Sequence, residues 1–300
     1  MNIQKSKLNI GKARRRVQMR SALLLTLGVC FVMSMLRGLW GTNLPAAIGV
    51  RLVYVLEMLL SLACFGGGAY LGLCVLDGDH RKLVPMRKLS RAQILWLSLL
   101  GVLAVAPVSL ADDLMQKLLG TAYATVFYAP SAPDDFLQTV VKSVLLAPIC
   151  EELFFRGYLL AALAPHGKLR AAAVVSLCFA LVHPLDGLVP LALFGALLCW
   201  MTLRTQSILS PVLVHMSYNM TLILIDSIGV PGLFMGWSFF SCALRLALCA
   251  AFMAVLKRAH GARRAGGTFT LWEGGKLSRR EKALFAAAAL LFVVTVIAGG

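Results

Sequence analysis

Charge is scarce in this chain. Asp, Glu, Lys and Arg make up only 14% of its 300 residues, and acids are the rarest, with 13 Asp and Glu against 29 Lys and Arg. Against 59% hydrophobic residues and a mean hydropathy of +0.82, that scarcity excludes a soluble globular domain. Cys-x-x-Cys pairs and Cys-His clusters are also missing. The eight cysteines at 30, 64, 74, 150, 178, 199, 242 and 249 therefore form neither a zinc knuckle nor a disulfide framework. Each falls within an apolar run and reads as a small buried hydrophobe. The His-Glu-x-x-His pattern of helix-borne zinc proteases is absent. So is any internal repeat, and the missing inverted repeat argues against a secondary transporter.

What remains is apolar sequence in helix-length runs. Windows at roughly 21–40, 52–76, 93–111, 136–164, 171–185, 188–203, 208–226, 231–256 and 283–298 predict an all-α, polytopic transmembrane bundle. The fifth and sixth are short enough to be joined or re-entrant, so the expected count is eight to nine spans. The expected organisation is a basic cytoplasmic arm over 1–20 and a single membrane domain over 21–300. The arm, with Lys5, Lys7, Lys12, Arg14, Arg15, Arg16 and Arg20, leads into an uncleaved first helix, because no small-x-small cleavage site follows.

The net charge of +16 sits beside the apolar spans and reads as topology signal and contact with anionic lipid; a nucleic-acid partner is not expected. Arg81, Lys82, Arg87, Lys88 and Arg91 fill the second loop, and Lys257 to Lys282 the loop after the eighth span. The stretch 112–135 instead holds Asp112, Asp113, Asp134 and Asp135 against Lys117, with Tyr123, Phe127 and Tyr128 as interfacial aromatics. These signs alternate correctly with a cytoplasmic N-terminus, nine spans and an external C-terminus. The expected location is a bacterial cytoplasmic membrane.

Within this apolar background, Glu151-Glu152-Leu153-Phe154-Phe155-Arg156 stands out. A charged side chain at the bilayer centre costs on the order of 2.5–3.5 kcal/mol by insertion scales, so three of them need a protein-lined or wet site. Glu152 and Arg156, four apart, share a face and can pair, while Glu151 points about 100° away. One carboxylate suffices for an ion pair. The other is left to ionise against a further charge, bind a metal or act as a general base. Pro148 loosens the backbone just before them. The fifth span carries Phe179 and His183 one turn apart, and the seventh His215 and Asn219 on one face. A lone intramembrane histidine is commonly a satisfied core residue, and a His/Asn pair commonly an interhelical hydrogen bond. Three spans each bringing such groups point instead to activated water. Glu151 could act as base with an imidazole or amide at the oxyanion. Equally, His183, His215 and Glu151 or Glu152 could ligate zinc.

EExxxR, then FxxxH, then HxxxN on successive membrane helices resembles the CAAX-protease and bacteriocin-processing family of intramembrane endopeptidases, which includes the type II CAAX prenyl endopeptidases. The resemblance covers about residues 136–226. It implies a hydrolase of membrane-embedded or lipidated peptide or protein substrates. Glu151 would be the water-activating residue, His183 its assistant, and His215 and Asn219 the oxyanion site, with Glu152, Arg156 and Phe179 in support. The family includes members described as metalloproteases and as glutamate-type proteases. Here no cofactor is the first expectation and zinc the alternative. The rival function is a non-enzymatic membrane partner or regulator on the same fold.

Other polar residues read as structural. Glu57 is expected to pair with Arg245 or Arg37. Gly66-Gly67-Gly68 permits close helix approach or a break. Lys142, nine residues or two and a half turns before Glu151, falls on roughly the opposite face and is expected to snorkel or pair. Asp186 and Asp226 sit at hydrated span ends.

Overall fold

A computed structural model describes residues 20–33, 35, 49–75, 84–119, 136–183 and 187–261. The ninth window, Arg37, Asp186, the basic arm before Arg20, and the aromatic and acidic residues of 120–135 lie outside the described residues. The fold is all-α. Eight helical segments follow one another among the described residues: α1 (Arg20–Met33), α2 (50–75), α3 (Arg91–Leu119), α4 (136–166), α5 (Lys168–Leu181), α6 (Leu188–Thr205), α7 (Leu209–Ser227) and α8 (Phe239–Gly261). They coincide with the first eight apolar windows. Four stretches are long and apolar enough to cross a membrane: Val55–Cys74, Arg91–Leu118, Leu188–Thr205 and Phe239–Leu256. The chain is thus an integral membrane protein, and the side chains left outward are those lipid accepts, such as Leu24, Leu71, Leu137, Leu193 and Leu246.

Helix α3 is the central strut, packed against α6, α7 and α8, while α5 and α6 form an antiparallel pair beside it. Small residues set the closest approaches. A Cβ on Gly101 of α3 would lie 2.3 Å from the Val214 carbonyl oxygen of α7. Only glycine fits there, and its fit brings α7 against α3 next to His215.

Helices α2 and α4 run side by side with a nearly constant offset. Glu57 meets Lys142, Gly66 meets Cys150, Gly68 meets Phe154 and Gly72 meets Tyr158. The Gly66-Gly67-Gly68 run is therefore a close approach, and also part of a wide π turn over Leu62–Gly67. Helix α4 has two such turns, Val141–Leu146 and Leu153–Leu159. The first has a visible cause. Ala147 N–H already reaches back five residues to the Lys142 carbonyl, and the next donor in that register would be Pro148, which has none.

Three expectations need correcting. Helix α3 runs on to Leu119, so Asp112 and Asp113 lie in a helix and are buried at 6% and 7% exposure, not in an external loop. Their acidity reads as hydration only while their partner is unknown. Asp113 is met by Arg245 on α8, whose Nη1 donates to its Oδ2 at 2.5 Å, and Asp112 Oδ2 accepts from Gln116 Nε2 one turn on. Glu57 consequently pairs with Lys142 and not with Arg245. Lys142 is also not opposite Glu151. The π turn takes up about one extra residue, rotating what precedes it by roughly 100°, so that Lys142 and Cys150 both face α2. Helix α8 starts at Phe239, later than the apolar window, because Pro231–Leu233 forms a separate short turn. The eight cysteines are free thiols, Cys74 alone among them exposed.

Candidate active site

The site is built on the middle of α4, where Pro148, Cys150, Glu151 and Glu152 are all buried between the two wide turns. Glu152 has no exposure, Arg156 is 1% exposed and Glu151 9%. Arg156 Nη1 donates to Glu152 Oε1 at 2.9 Å, the pair expected from their spacing. The same oxygen lies 2.9 Å from His215 Nδ1 on α7. A carboxylate only accepts, so Nδ1 carries the proton, and the ring is held by Glu152 in one orientation.

Arg156 is clamped from three sides. Its Nη2 donates to the Gly195 carbonyl of α6 at 3.1 Å, and its guanidinium lies 4.4 Å from the centre of the Phe179 ring. Planar, always charged and weakly hydrated, Arg suits such a buried stacked position better than Lys would. Phe179 is the hub: its ring makes edge contacts with Phe155 and His215 and lies 4.8 Å from the His183 ring. Phe194 of α6 packs on His215 from another side and stacks on Tyr218 at 4.3 Å. A dry aromatic wall thus surrounds the Glu152–Arg156–His215 group, which strengthens every electrostatic interaction inside it.

His183 stands just past the end of α5. Its Nδ1 bonds the Phe179 carbonyl at 2.8 Å, making Nδ1 the donor and placing the lone pair of a neutral ring on Nε2. Asn219 does not share a partner with His215. Its Nδ2 donates to the Ser143 carbonyl at 2.7 Å, the acceptor whose π-register backbone donor would have been Pro148. The amide thereby ties α7 to the wide turn of α4 and retains a second N–H on the same nitrogen.

The fold brings Glu152, Arg156, His215 and Phe179 into direct contact, with His183 on the Phe179 ring and Glu151 next to Glu152 in the chain. Phe194, Gly195, Tyr218 and the Ser143 carbonyl also belong to the group and were not singled out by the sequence. Apolar residues in an apolar helix give no signal, although the five-residue spacing of Ser143 and Pro148 is one. Among the described residues no three His, Cys, Asp or Glu side chains gather as a set of metal ligands. Glu152, one of the candidate ligands, is already engaged by Arg156 and His215. Two buried atoms of the group, Glu152 Oε2 and Arg156 Nε, lack hydrogen-bond partners.

These features define an integral membrane protein of helical architecture with a buried carboxylate, guanidinium and imidazole cluster in its bundle. Residues 133–221 match the family model described as type II CAAX prenyl endopeptidase Rce1-like. That match spans the whole site from Ser143 to Asn219. No curated protein and no solved structure matches the chain.

Proposed function

We propose that the protein is an intramembrane endopeptidase that hydrolyses a peptide bond of a membrane-associated peptide or protein, with Glu151 as the water-activating base. The observation that carries this reading is the occupation of Glu152. Its carboxylate is shared at 2.9 Å between Arg156 and His215, so the tandem acids are not redundant. Glu152 organises the site and Glu151 is the carboxylate for chemistry. The family match supplies the reaction class, an intramembrane protease.

In this mechanism Glu151 takes a proton from water as the water oxygen bonds to the scissile carbonyl carbon. His183, fixed through Nδ1 on the Phe179 carbonyl, orients that water through Nε2. The second N–H of Asn219 is the donor for the oxyanion, with His215 one turn before it on α7 shaping the same site. Collapse breaks the C–N bond, and Glu151 returns the proton to the leaving amine. Each step uses the side chains described here and none passes through a metal.

The test is a comparison of new protein termini in membranes from cells carrying the wild-type chain and cells carrying Glu151→Ala at equal expression. Termini present only with the wild type are expected, and they name substrate and bond together. Identical termini, with the variant rescuing a deletion phenotype, would establish a non-enzymatic membrane partner instead.

A further inference from the structure

The connection ahead of α3 is tied to the turn between α6 and α7 by a short antiparallel bridge, Met86 to Ser207. Arg87 N–H donates to the Gln206 carbonyl at 3.1 Å, and Ile208 N–H to the Pro85 carbonyl at 2.7 Å. In that pattern the two bridged residues turn their own N–H and C=O away from each other, onto the outer edges of the pair. The two edges differ. The Ser207 carbonyl is taken by the amide and the hydroxyl of Ser210, whereas the N–H and C=O of Met86 have no partner among the described residues. Met86 is 65% exposed, so its edge can be reached. An unpaired edge is a template for one more extended chain.

The bridge lies at the foot of the candidate site. Ile208, at the start of α7, precedes His215 by seven residues, which puts the two on nearly the same face about 10 Å apart. On α4, Val84 packs against Gly157, the residue after Arg156, and is itself buried. Three residues of extended chain also cover about 10 Å. The reaction creates a need for such an edge. A membrane-embedded segment that unwinds to present a scissile carbonyl frees backbone groups, and these must find new partners.

Resting on the protease reading above, we infer that the open edge at Met86 is a docking strand for the substrate backbone. The ligand class is an extended peptide segment about three residues from the scissile bond, held through its main chain. One substrate residue exchanges both bonds with Met86: its N–H donates to the Met86 carbonyl, and its C=O accepts from the Met86 N–H. The inward bonds to Gln206 and from Ile208 already fasten this connection to the bundle, so the outer pair of groups is left for the incoming chain.

Because the Met86 N–H serves no bond in the fold, deleting it separates docking from structure. The probe is a randomised pool of ten-residue apolar peptides, offered to the full chain in lipid nanodiscs, with cuts read by mass spectrometry. Proline is tolerated on an open edge, where its missing N–H breaks no ladder bond. Met86→Pro should raise the apparent KM by about two- to tenfold, the worth of one backbone hydrogen bond, with kcat and the unfolding midpoint unchanged. Met86→Ala trims the side chain and keeps the N–H, and should raise KM less. A second measurement does not depend on the proline. In the Glu151→Ala chain, the photo-crosslinker p-benzoylphenylalanine in place of Met86 should form adducts with peptides of the pool. In place of Leu95 on α3, which is exposed to the same extent, it should form adducts with lipid. If Met86→Pro lowers the midpoint, the adducts alone decide. An unchanged KM in Met86→Pro, or peptide adducts no more frequent at 86 than at 95, overturns the docking strand and leaves the protease standing. Equal rises in KM for proline and alanine assign the effect to the side chain and also overturn it. No Glu151-dependent cut in the pool overturns the protease reading, and the docking strand with it.

Discussion

Two buried arginines hold this bundle together, and they are solvated by protein in opposite ways. Arg245, on α8, donates to Asp113 of α3, to the Phe234 and Gly236 carbonyls of the turn before α8, and through Nε to the Ser241 carbonyl. All three of its guanidinium nitrogens donate, and they are spent on closing a turn against two helices. Arg156 has one carboxylate oxygen, one carbonyl and an aromatic face, and its Nε has no partner. Its carboxylate partner also orients an imidazole. The first centre is finished by the fold; the second is left open to further polar groups. Fully satisfied buried ion networks specify a structure, whereas incompletely satisfied ones in an apolar pocket are where ligands and chemistry are found.

The sharpest break in this comparison is Glu151→Gln. As the proposed base it should lose about 10²–10⁴ in cleavage rate, the span general-base catalysis contributes, with thermal stability unchanged. The two arginines come next. Arg156→Met and Arg245→Met each strand a buried carboxylate, and each should cost about 3–5 kcal/mol, read as a drop in the unfolding midpoint in detergent. Activity separates them. The Arg156 variant should lose turnover in whatever protein remains folded, because His215 loses its fixed anchor. The Arg245 variant should retain wild-type turnover per folded molecule. Loss of turnover in both would show that the second centre also governs the reaction.

Asn219→Ala is expected to be milder. It leaves the Ser143 carbonyl without its side-chain donor, at about 1–3 kcal/mol for an unsatisfied buried acceptor. It also removes one proposed oxyanion donor, so kcat should fall further than the stability loss explains. Serine at this position, too short to reach Ser143, should behave like alanine in both measurements.

What could be read in advance follows from the range of the interactions involved. Helix positions follow from apolar run lengths, a local property, and the first eight windows coincide with the eight helices of the described residues. The Glu152–Arg156 pair was legible because both partners lie on one helix four residues apart. Arg245 and Asp113 are 132 residues apart, and Lys142 and Glu57 are 85 apart. With several charges of each sign on apolar spans, nothing local says which meet, so the sequence does not single out Lys142 as the partner of Glu57. The end of α3 was misplaced for the same reason, since an unpaired Asp112-Asp113 looks like a hydrated loop. The phase of Lys142 was lost to a π turn, visible only as a proline five residues after Ser143. Phe194 and Gly195 were hidden by composition, because an apolar residue lining a site looks like any other in a membrane helix.

The smallest expected effect probes the rim of the satisfied centre. Lys117 lies 5.0 Å over the Trp237 ring, on the turn whose carbonyls Arg245 binds. Trp237 is half exposed, so this cation–π contact is worth about 0.5–1 kcal/mol at most. Lys117→Met keeps the alkyl length and removes the charge, and should lower the unfolding midpoint only slightly without affecting turnover. If Arg245 and Lys117 hold the same turn, the loss from Lys117→Met should disappear in the Arg245→Met background, where the turn is already released. A double-mutant cycle on the midpoint reads that coupling directly. Additive losses would instead mean that Trp237 is held independently of Arg245, and that the turn is fastened at two separate points.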